Sequence, residues 1–546
     1  MNRRRCAIII LLLSLLNWAV FSQDNENSLS SSETDFDDFD SDNDLDEKKI
    51  SVGFNGSLNL GGTMFFDDFK KFADIRPSSL IWGDLHLTAT APIVEAVLGV
   101  SISDTALPFN FKKKPQTYPR KPQIPRFIDE TYMQLMFDSV VFGGGLKRMT
   151  WGRADYFSVL DVINPKDLTD PTITDPKKLK IPRPMIFISA YLPKEVKLEF
   201  VYLPVFQGNL EALSGRWKPS HFQTEAQNVL NEIQSDSSLS SIAPYLKNDS
   251  PLLEHFVGLN LTDMMSTEID SAKLKYSQAG MRVTSTIEGF HDLGFQYYYG
   301  RLPSPAFKMD TKALFAAFDN LPNILKNAST IQTLLTAIDN AISSNDTATA
   351  QAKMKELAEL IKKQNGQKEA VKNNFIKAFA LDYNDFHQIG IDYATGLGPV
   401  NLRTELAANI TRDIYGNNPG IYNPSLAWHV GLDYKTKFGM TLNLAVSENI
   451  KLLYSKIGTK KYDTEKGSLP TDTKVMFLIS QSLLRGSMAL NLKTIMSCES
   501  VDFYINPSMN WLLGSVEINT GMGFFLGRNN EYKDNHFVHL SISYNF

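Results

Sequence analysis

Alternation of apolar and polar side chains runs from Val538 to Phe546 at the end of the chain and recurs along most of its length. In the final segment one face carries Val538, Leu540, Ile542, Tyr544 and Phe546. Side chains two positions apart on a strand share a face, so this period predicts a strand with one apolar side. Such a face packs inward in a soluble sandwich, whereas it meets lipid in a membrane barrel, and alternation alone fits both.

Strand length and connection length separate these two folds. The pattern predicts strands at 50–66, 79–89, 93–103, 128–137, 139–149, 184–191, 195–206, 271–286, 290–301, 383–394, 399–410, 425–436, 439–450, 473–485, 487–497, 501–511, 514–526 and 535–546. Most are about ten residues long, which crosses a membrane at about 45° tilt. Short turns alternate with long connections, and only the short 498–500 connection breaks this order. We therefore predict an all-β fold: a closed antiparallel transmembrane β-barrel of about 18 strands (about 16–20), with helical insertions in external loops.

The N-terminal region predicts export. Residues 1–22 combine a cluster of arginines, an apolar run and small residues before Gln23, which is the layout of a secretory signal peptide. Residues 23–47 are rich in Asp and Glu and contain no base, so they are predicted to form an acidic disordered leader. The barrel is predicted over 48–546. Cleavage of the signal removes Cys6 and leaves Cys498 without an intrachain disulfide partner.

Two insertions in the predicted external loops, at about 207–270 and 302–382, show helical periodicity. Within the second, 347–379 is predicted to be a helix pair that breaks at Gly366, with an apolar stripe that includes Met354 and Leu357. An amphipathic element of this length can be an external cap, a plug of the barrel or a surface for a partner.

A motif follows the fifth predicted strand. Trp151-Gly152-Arg153-Ala154-Asp155 comes after a glycine-rich strand, and residues 161–167 read D-V-I-N-P-K-D. This arrangement resembles a porin-like family of Gram-negative outer-membrane β-barrels catalogued as a domain of unknown function, which carries W-G-x-[ST]-D and then D-x-[IL]-N-P-x-D. Ala154 stands where that family has a small hydroxyl residue. The resemblance implies an outer-membrane barrel for small solutes or hydrophobic compounds.

The loop at 150–183 carries this motif, and two roles for it remain open. It either locks its own turn or folds into the lumen as a constriction with both signs of charge. The candidate pore residues on or beside the loop are Lys147, Arg148, Trp151, Arg153, Asp155, Asp161, Asn164 and Asp167. Those on predicted inward strand faces are Lys197, Arg403, Glu405 and Lys493. Phe546 and Tyr544 resemble the C-terminal signal read by the outer-membrane barrel assembly machinery.

These observations predict a porin-like channel in the bacterial outer membrane, constricted by the 150–183 loop. Its expected partners are outer-membrane lipids, the barrel assembly machinery and a transported small solute or apolar compound. The alternative is a surface interaction or adhesion barrel whose helical external loops bind a partner. A net charge of −5 argues against nucleic acid as a partner. The eight histidines form no H-E-x-x-H motif and no G-x-S-x-G motif occurs, so no enzymatic activity, metal site or cofactor is predicted.

Overall fold

The structure is a computed structural model that describes residues 50–66, 81–103, 117–118, 127–173, 176–212, 215–219, 228, 231–233, 235–237, 274–319, 321–344, 346–528 and 530–546. The predicted signal peptide and acidic leader lie outside the described residues, as does most of the predicted helical insertion at 207–270.

Eighteen antiparallel strands form one sheet, and the first strand pairs with both the second and the last. The strands are β1 (Ser51–Phe65), β2 (Ile81–Ala91), β3 (Val94–Ser103), β4 (Ile128–Phe137), β5 (Val140–Lys147), β6 (Arg183–Leu192), β7 (Val196–Leu203), β8 (Gln278–Ile287), β9 (His291–Arg301), β10 (Asp385–Leu397), β11 (Val400–Thr411), β12 (Ser425–Lys435), β13 (Met440–Lys451), β14 (Thr471–Leu483), β15 (Met488–Ser497), β16 (Asp502–Leu513), β17 (Val516–Leu526) and β18 (Phe537–Asn545). The prediction of a closed barrel with 18 strands is confirmed.

The seam between β1 and β18 closes the barrel. Nine residue pairs run from Ser57↔Asn545 to Phe65↔Phe537. Beyond them, Gly56 and Phe546 exchange two backbone hydrogen bonds, with N···O distances of 2.9 and 3.0 Å. A Cβ atom at Gly56 would lie 2.4 Å from the carbonyl oxygen of Asp84, so the close approach of the strands requires glycine there. The seam leaves no sheet edge open.

The two faces of the sheet differ in polarity. Large apolar side chains cover the outside and are strongly exposed, as with Leu406 and Leu540, which are each 53% exposed. Polar side chains on the opposite face are buried inside the barrel, among them Glu405, Gln388 and Asp392. The alternation in the sequence therefore corresponds to an apolar outside and a polar inside. No helix of the described part of the chain is both long and apolar enough to cross a membrane.

The connections sort by length to the two ends of the barrel. Turns such as 92–93, 138–139 and 398–399 lie at one end, which we call the turn rim. Long connections, together with the short 498–501, lie at the other end, which we call the loop rim. The loop rim carries short strands at Thr117–Tyr118, Asp167–Leu168, Leu210–Ala212, Ala306–Met309 and Phe379–Asp382, and helices α1 (Pro176–Leu179), α2 (Thr311–Asp319), α3 (Leu321–Ser343) and α4 (Thr347–Ala378). Short 3₁₀ helices occupy Leu274–Tyr276, Tyr454–Lys456 and Leu484–Gly486.

The helical insertion differs from the prediction in one respect. Gly366 does not break the helix, because α4 runs without interruption from Thr347 to Ala378. An interior glycine costs a helix only about 1 kcal/mol. The packing of α4 on α2 and α3, through side chains such as Val371 and Leu334, outweighs this cost. The helix pair is formed instead by α3 and α4.

Candidate functional site

The described residues of the connection between β5 and β6, 148–173 and 176–182, leave the loop rim and fold into the barrel; we call them the lumen loop. Leu160 is fully buried against Ala407 of β11 and Ala427 of β12. Trp151 is also fully buried, in a cluster with Tyr298 of β9 and Phe386 of β10. These small and aromatic wall residues provide the apolar surface that holds the loop inside the barrel.

Two wall glycines make room for the large side chains of the lumen loop. A Cβ atom at Gly280 would lie 2.7 Å from the Trp151 ring. A Cβ atom at Gly390 would lie 2.3 Å from Cδ2 of Leu160. Any larger residue at either position would push the loop away from the wall. The absence of side chains at Gly280 and Gly390 therefore allows the lumen loop to pack in direct contact with the sheet.

Glu405, near the middle of β11, is the main polar anchor of the lumen loop. Its Oε1 accepts hydrogen bonds from the backbone N–H groups of Arg153 and Ala154, at 2.7 and 2.8 Å. Its Oε2 accepts from the N–H groups of Val159 (2.9 Å) and Leu160 (3.3 Å) and from the Ser158 hydroxyl (2.8 Å). A carboxylate that is buried away from water requires such donors, and here the folded loop supplies them.

Two glutamines extend this anchor. Gln296 of β9 donates from Nε2 to the Leu160 carbonyl at 2.8 Å, and Gln388 of β10 donates from Nε2 to the Val159 carbonyl at 3.0 Å. Gln296 also donates to Oε1 of Gln388 at 2.9 Å. Both side chains are buried, so the hydrogen bonds satisfy amides that water does not reach.

Ion pairs connect the loop to the same part of the wall. Nη1 of Arg153 lies 3.1 Å from Asp292, and its Nε lies 3.5 Å from Asp392. Asp392 also pairs with Arg282 of β8 at 2.8 Å. The arrangement places opposite charges next to each other in the lumen, so their fields largely cancel beyond the cluster.

The tip of the lumen loop reaches two walls. Asp155 pairs with Arg403 of β11 at 2.6 Å, and Arg403 also pairs with Asp433 of β12. Burial raises the pKa of the Asp155 carboxyl, against the influence of Arg403, and nearby Asp433 raises it further. From β15, Nζ of Lys493 lies 5.6 Å from the centre of the Tyr156 ring. The tip therefore crosses part of the lumen between β11 and β15.

Three further predicted residues hold the base of the loop together. The Asn164 side chain accepts from the Met149 N–H group at 2.8 Å and donates to the carbonyls of Lys147 (3.1 Å) and Ile181 (2.9 Å). Asp161 pairs with Lys180 at 2.6 Å, and burial raises the pKa of its carboxyl although Lys180 opposes this. Asp167 accepts from the N–H group of Thr169 at 3.0 Å.

Of the other predicted positions, Lys147 and Lys197 lie in the wall and Arg148 is the first residue of the lumen loop. Nζ of Lys147 lies 3.7 Å from the centre of the Tyr132 ring, and Arg148 pairs with Asp129 at 2.5 Å. Lys197 pairs with Glu199 at 3.2 Å near the turn rim. The structure thus brings Arg153, Asp155, Arg403, Glu405 and Lys493 together around the loop tip and places the remaining candidates in its base or its supporting wall.

Sequence reasoning missed several wall residues around the loop. Asp292, Gln296, Gln388 and Asp392 contact the loop, and Arg282 and Asp433 pair with wall residues that do. Each lies at an inward position of an alternating strand, which is the only signal that the sequence carries for them. Polar residues occupy many such positions, so alternation cannot identify the ones that the loop reaches.

A second segment narrows the loop rim. Trp217 packs against Phe65 and Phe525, with ring centres 5.7 and 5.6 Å apart, and Arg216 lies over the Phe65 ring at 4.3 Å. The Asn535 side chain donates to the Arg216 carbonyl at 2.8 Å. Residues 215–219 therefore cover the inner wall on the side of β1, β17 and β18. Among the described residues, no group of His, Cys, Asp and Glu is arranged to hold a metal ion.

Comparison with known proteins finds no matching family model and no matching curated protein. Solved structures of similar shape include a BenF-like porin from Pseudomonas fluorescens Pf-5, with 6% identity and a TM-score of 0.42 over 91% of this chain and 98% of that one. OccK11 (OpdR) of Pseudomonas aeruginosa has 7% identity and a TM-score of 0.39 over 91% and 96%. Wzi of Escherichia coli, described as a carbohydrate-binding β-barrel involved in group 1 capsule assembly, has 9% identity and a TM-score of 0.39 over 90% and 84%.

Proposed function

We propose that the chain is an outer-membrane channel for small solutes whose lumen is constricted by the lumen loop. The observation that carries this proposal is the anchoring of the loop on the inner wall by Glu405, within a closed barrel whose outer surface is apolar. A loop held inside a barrel at mid-height sets the width and the polarity of any path through it.

The outer surface supports membrane insertion. Exposed aliphatic side chains cover the middle of the strands, and exposed aromatic side chains such as Tyr191, Tyr434 and Trp511 lie near the turn rim. An apolar band flanked by aromatic residues is the surface that lipid stabilises around a transmembrane barrel. Export through the predicted signal peptide and assembly of β18 by the barrel assembly machinery belong to the same proposal, as does the family resemblance of the W-G-x-x-D and I-N-P-x-D motifs.

The chemistry of the constriction favours polar solutes over hydrophobic compounds. Arg153, Asp155 and Arg403 surround the loop tip with both signs of charge. A hydrophobic compound would have to displace water from these groups without replacing their hydrogen bonds, which is costly. A polar solute can exchange hydrogen bonds with them.

Conductance in planar lipid bilayers tests the proposal. The full-length barrel should conduct ions, and Glu405→Gln should conduct better, because an amide cannot accept from all the N–H groups that the carboxylate holds and the loop is released. The matched control is Glu517→Gln, which changes a carboxylate of β17 that accepts from Asn510 at 3.3 Å next to the turn rim and should leave conductance unchanged. A barrel that stays closed to ions both with and without the loop would refute the channel.

A second candidate function rests on the helices at the loop rim. Helices α3 and α4 expose Leu335, Ile342, Met354 and Ile361 to solvent. Apolar side chains spaced along exposed helices fit a surface that binds another protein. Removal of residues 311–378, between the paired strands Ala306–Met309 and Phe379–Asp382, should leave conductance intact if the helices serve only binding. Loss of conductance in that variant would argue against a separate interaction role.

A further inference from the structure

The two sides of the inner wall differ in how far they are covered. Under the lumen loop, inward side chains of β9–β11 such as Gln296, Gln388 and Glu405 are at most 2% exposed. On β17 and β18, inward side chains such as Asn519 and Ser541 are only half-buried. An inward side chain of a closed barrel meets water only in the lumen, so the open part of the lumen that the described residues enclose lies along β16–β18 and β1. A barrel of this many strands is wide enough to leave an aqueous channel.

The wall on this open side is almost free of charge. Strands β16, β17 and β18 contain only two residues of the types Asp, Glu, Lys and Arg, namely Asp502 at the loop rim and Glu517 next to the turn rim. Between these two ends, many inward positions of β16–β18 and of neighbouring β1 carry amide or hydroxyl groups. Six of them, which we call the amide belt, are Asn59, Ser508, Asn510, Asn519, Ser541 and Ser543.

Strand register joins the amide belt into one surface. Asn510, Asn519 and Ser541 lie opposite one another on adjacent strands, and Ser543 lies opposite Asn59. Opposite residues of antiparallel strands share a face, so their side chains are neighbours in the lumen. Asn519 donates from Nδ2 to Oδ1 of Asn510 at 2.9 Å, and the Ser543 hydroxyl donates to Oδ1 of Asn59. These hydrogen bonds hold the side chains in place, which lowers the entropy lost when a solute binds them.

The two central amides keep hydrogen-bonding capacity for a solute. An Asn amide offers two N–H groups and two carbonyl lone pairs. Within the described residues, Asn510 donates one N–H group to Glu517 and accepts one hydrogen bond from Asn519. The Oδ1 atom of Asn519 accepts from Nε2 of His539 at 2.6 Å. Each amide therefore retains one donor and one acceptor, which is the pair of functions that a hydroxyl group of a solute can use.

The segment 215–219 borders the amide belt on the side of the loop rim. Beneath Trp217, the inward rings of Phe65, Phe525 and Phe537 are at most 6% exposed. The belt lies nearer to the turn rim on the same part of the wall, and its side chains are half-buried. The segment therefore covers the wall above the belt and not the belt itself, so a solute that enters at the loop rim passes Trp217 first.

We infer that neutral polyhydroxyl solutes, the class to which simple sugars belong, pass through the barrel along the amide belt. The inference rests on the proposed channel function, for which it names the class of solute. A hydroxyl group both donates and accepts, and the belt offers both functions in exchange for the hydrogen bonds that the solute made with water. An ion of either sign would leave bulk water for a wall without compensating charge, which raises its free energy in the pore.

Efflux from proteoliposomes that contain the full-length barrel tests the inference with radiolabelled glucose, gluconate and glucosamine. At pH 6 these three solutes share one carbon skeleton and are neutral, negative and positive, and valinomycin with equal potassium on both sides holds the membrane potential at zero. Glucose should leave faster than either charged solute by about twofold or more, the value of one ordinary hydrogen bond.

Two substitutions at one position test whether the path follows the belt. Asn519→Leu removes the amide and should slow glucose about two- to tenfold. Asn519→Asp keeps the size of the side chain and adds a negative charge, so it should slow gluconate and speed glucosamine. Asn401→Leu is the matched control, because it makes the same change at an inward position of β11 next to the turn rim and should leave glucose efflux unchanged.

Heat-modifiable gel migration verifies that each variant is folded. Efflux of gluconate or glucosamine as fast as that of glucose would overturn the inference, as would unchanged efflux of all three solutes in folded Asn519→Leu and Asn519→Asp. A barrel that releases none of the solutes and conducts no ions would refute the channel itself. A barrel that conducts ions but retains glucose or prefers a charged solute would refute the role of the amide belt alone.

Discussion

The Glu405 carboxylate and Gly152 are in such close contact that a Cβ atom on Gly152 would lie 2.3 Å from Oε1. Gly152 also has a φ angle of +97°, which L side chains rarely adopt. The turn at the start of the lumen loop therefore requires glycine for two independent reasons, one of backbone conformation and one of space. The anchor and the turn that reaches it depend on each other.

Gly152→Ala should loosen the docked loop. The new methyl group meets Glu405, and the backbone conformation alone costs about 1–3 kcal/mol for a residue other than glycine. We expect higher bilayer conductance and faster trypsin cleavage within the loop than in the parent protein. Gly53→Ala is the control, because a Cβ atom at Gly53 meets nothing within 4 Å. Equal behaviour of the two variants would contradict the close contact at Glu405.

The contact of Leu160 with Gly390 should appear as coupling between two substitutions. Gly390→Ala places a methyl group against Leu160, and Leu160→Ala alone removes a buried side chain at a cost of about 2–5 kcal/mol. The double variant has room for the new methyl group, so its effect on loop protection from trypsin should be smaller than the sum of the single effects. Simple additivity would mean that Leu160 does not rest on Gly390.

Substitutions on the two faces of β18 should differ strongly. Leu540→Arg places a charge on the outer face and should destabilise the barrel in liposomes by about 2–4 kcal/mol if the residue lies near the middle of the bilayer. Ser541→Arg, on the inner face of the same strand, should cost much less. Guanidinium-induced unfolding in liposomes measures both. Equal costs would show that the outer face does not meet lipid.

Acid should weaken the connection between β15 and β16. Burial alone would raise the pKa of Glu499, but hydrogen bonds from the Thr473 N–H group and from the hydroxyls of Thr473 and Thr471 outweigh it and lower the pKa to about 2. A lowered pKa in the folded state means that this stabilisation is complete above the ordinary value of 4.5 and is lost as pH falls toward 2.

Hydrogen exchange at Thr473 measures this effect. The parent protein should protect the amide better than Glu499→Gln at pH 6, and the difference should vanish as pH approaches the folded pKa. A difference that persists at the lowest pH would show that the carboxylate is not the source of the protection. Comparison with the variant at each pH removes the intrinsic pH dependence of exchange.

The barrel could be predicted because strand alternation and connection length reflect the same constraint, namely that every backbone group of a sheet in lipid must be paired. The site could be predicted only in part. Glu405 and Arg403 were identified as inward charges, but nothing in the sequence indicates that loop N–H groups from about 250 positions away surround the Glu405 carboxylate. Trp151 and Asn164 are predicted near the pore, but the structure buries both side chains. A motif shows which residues form a turn, and it does not show which of them face the lumen.

The hydrogen bond from Arg153 to Glu405 joins residues 252 positions apart in the chain. Because a chain emerges from its N-terminus, the loop exists long before the strand that receives it. A contact that spans so much chain forms late, since the intervening segments must first be ordered. The lumen loop therefore stays without its anchor until β11 takes its place in the sheet. The width of the path through the barrel is fixed at that late step, and not when the loop itself is first formed.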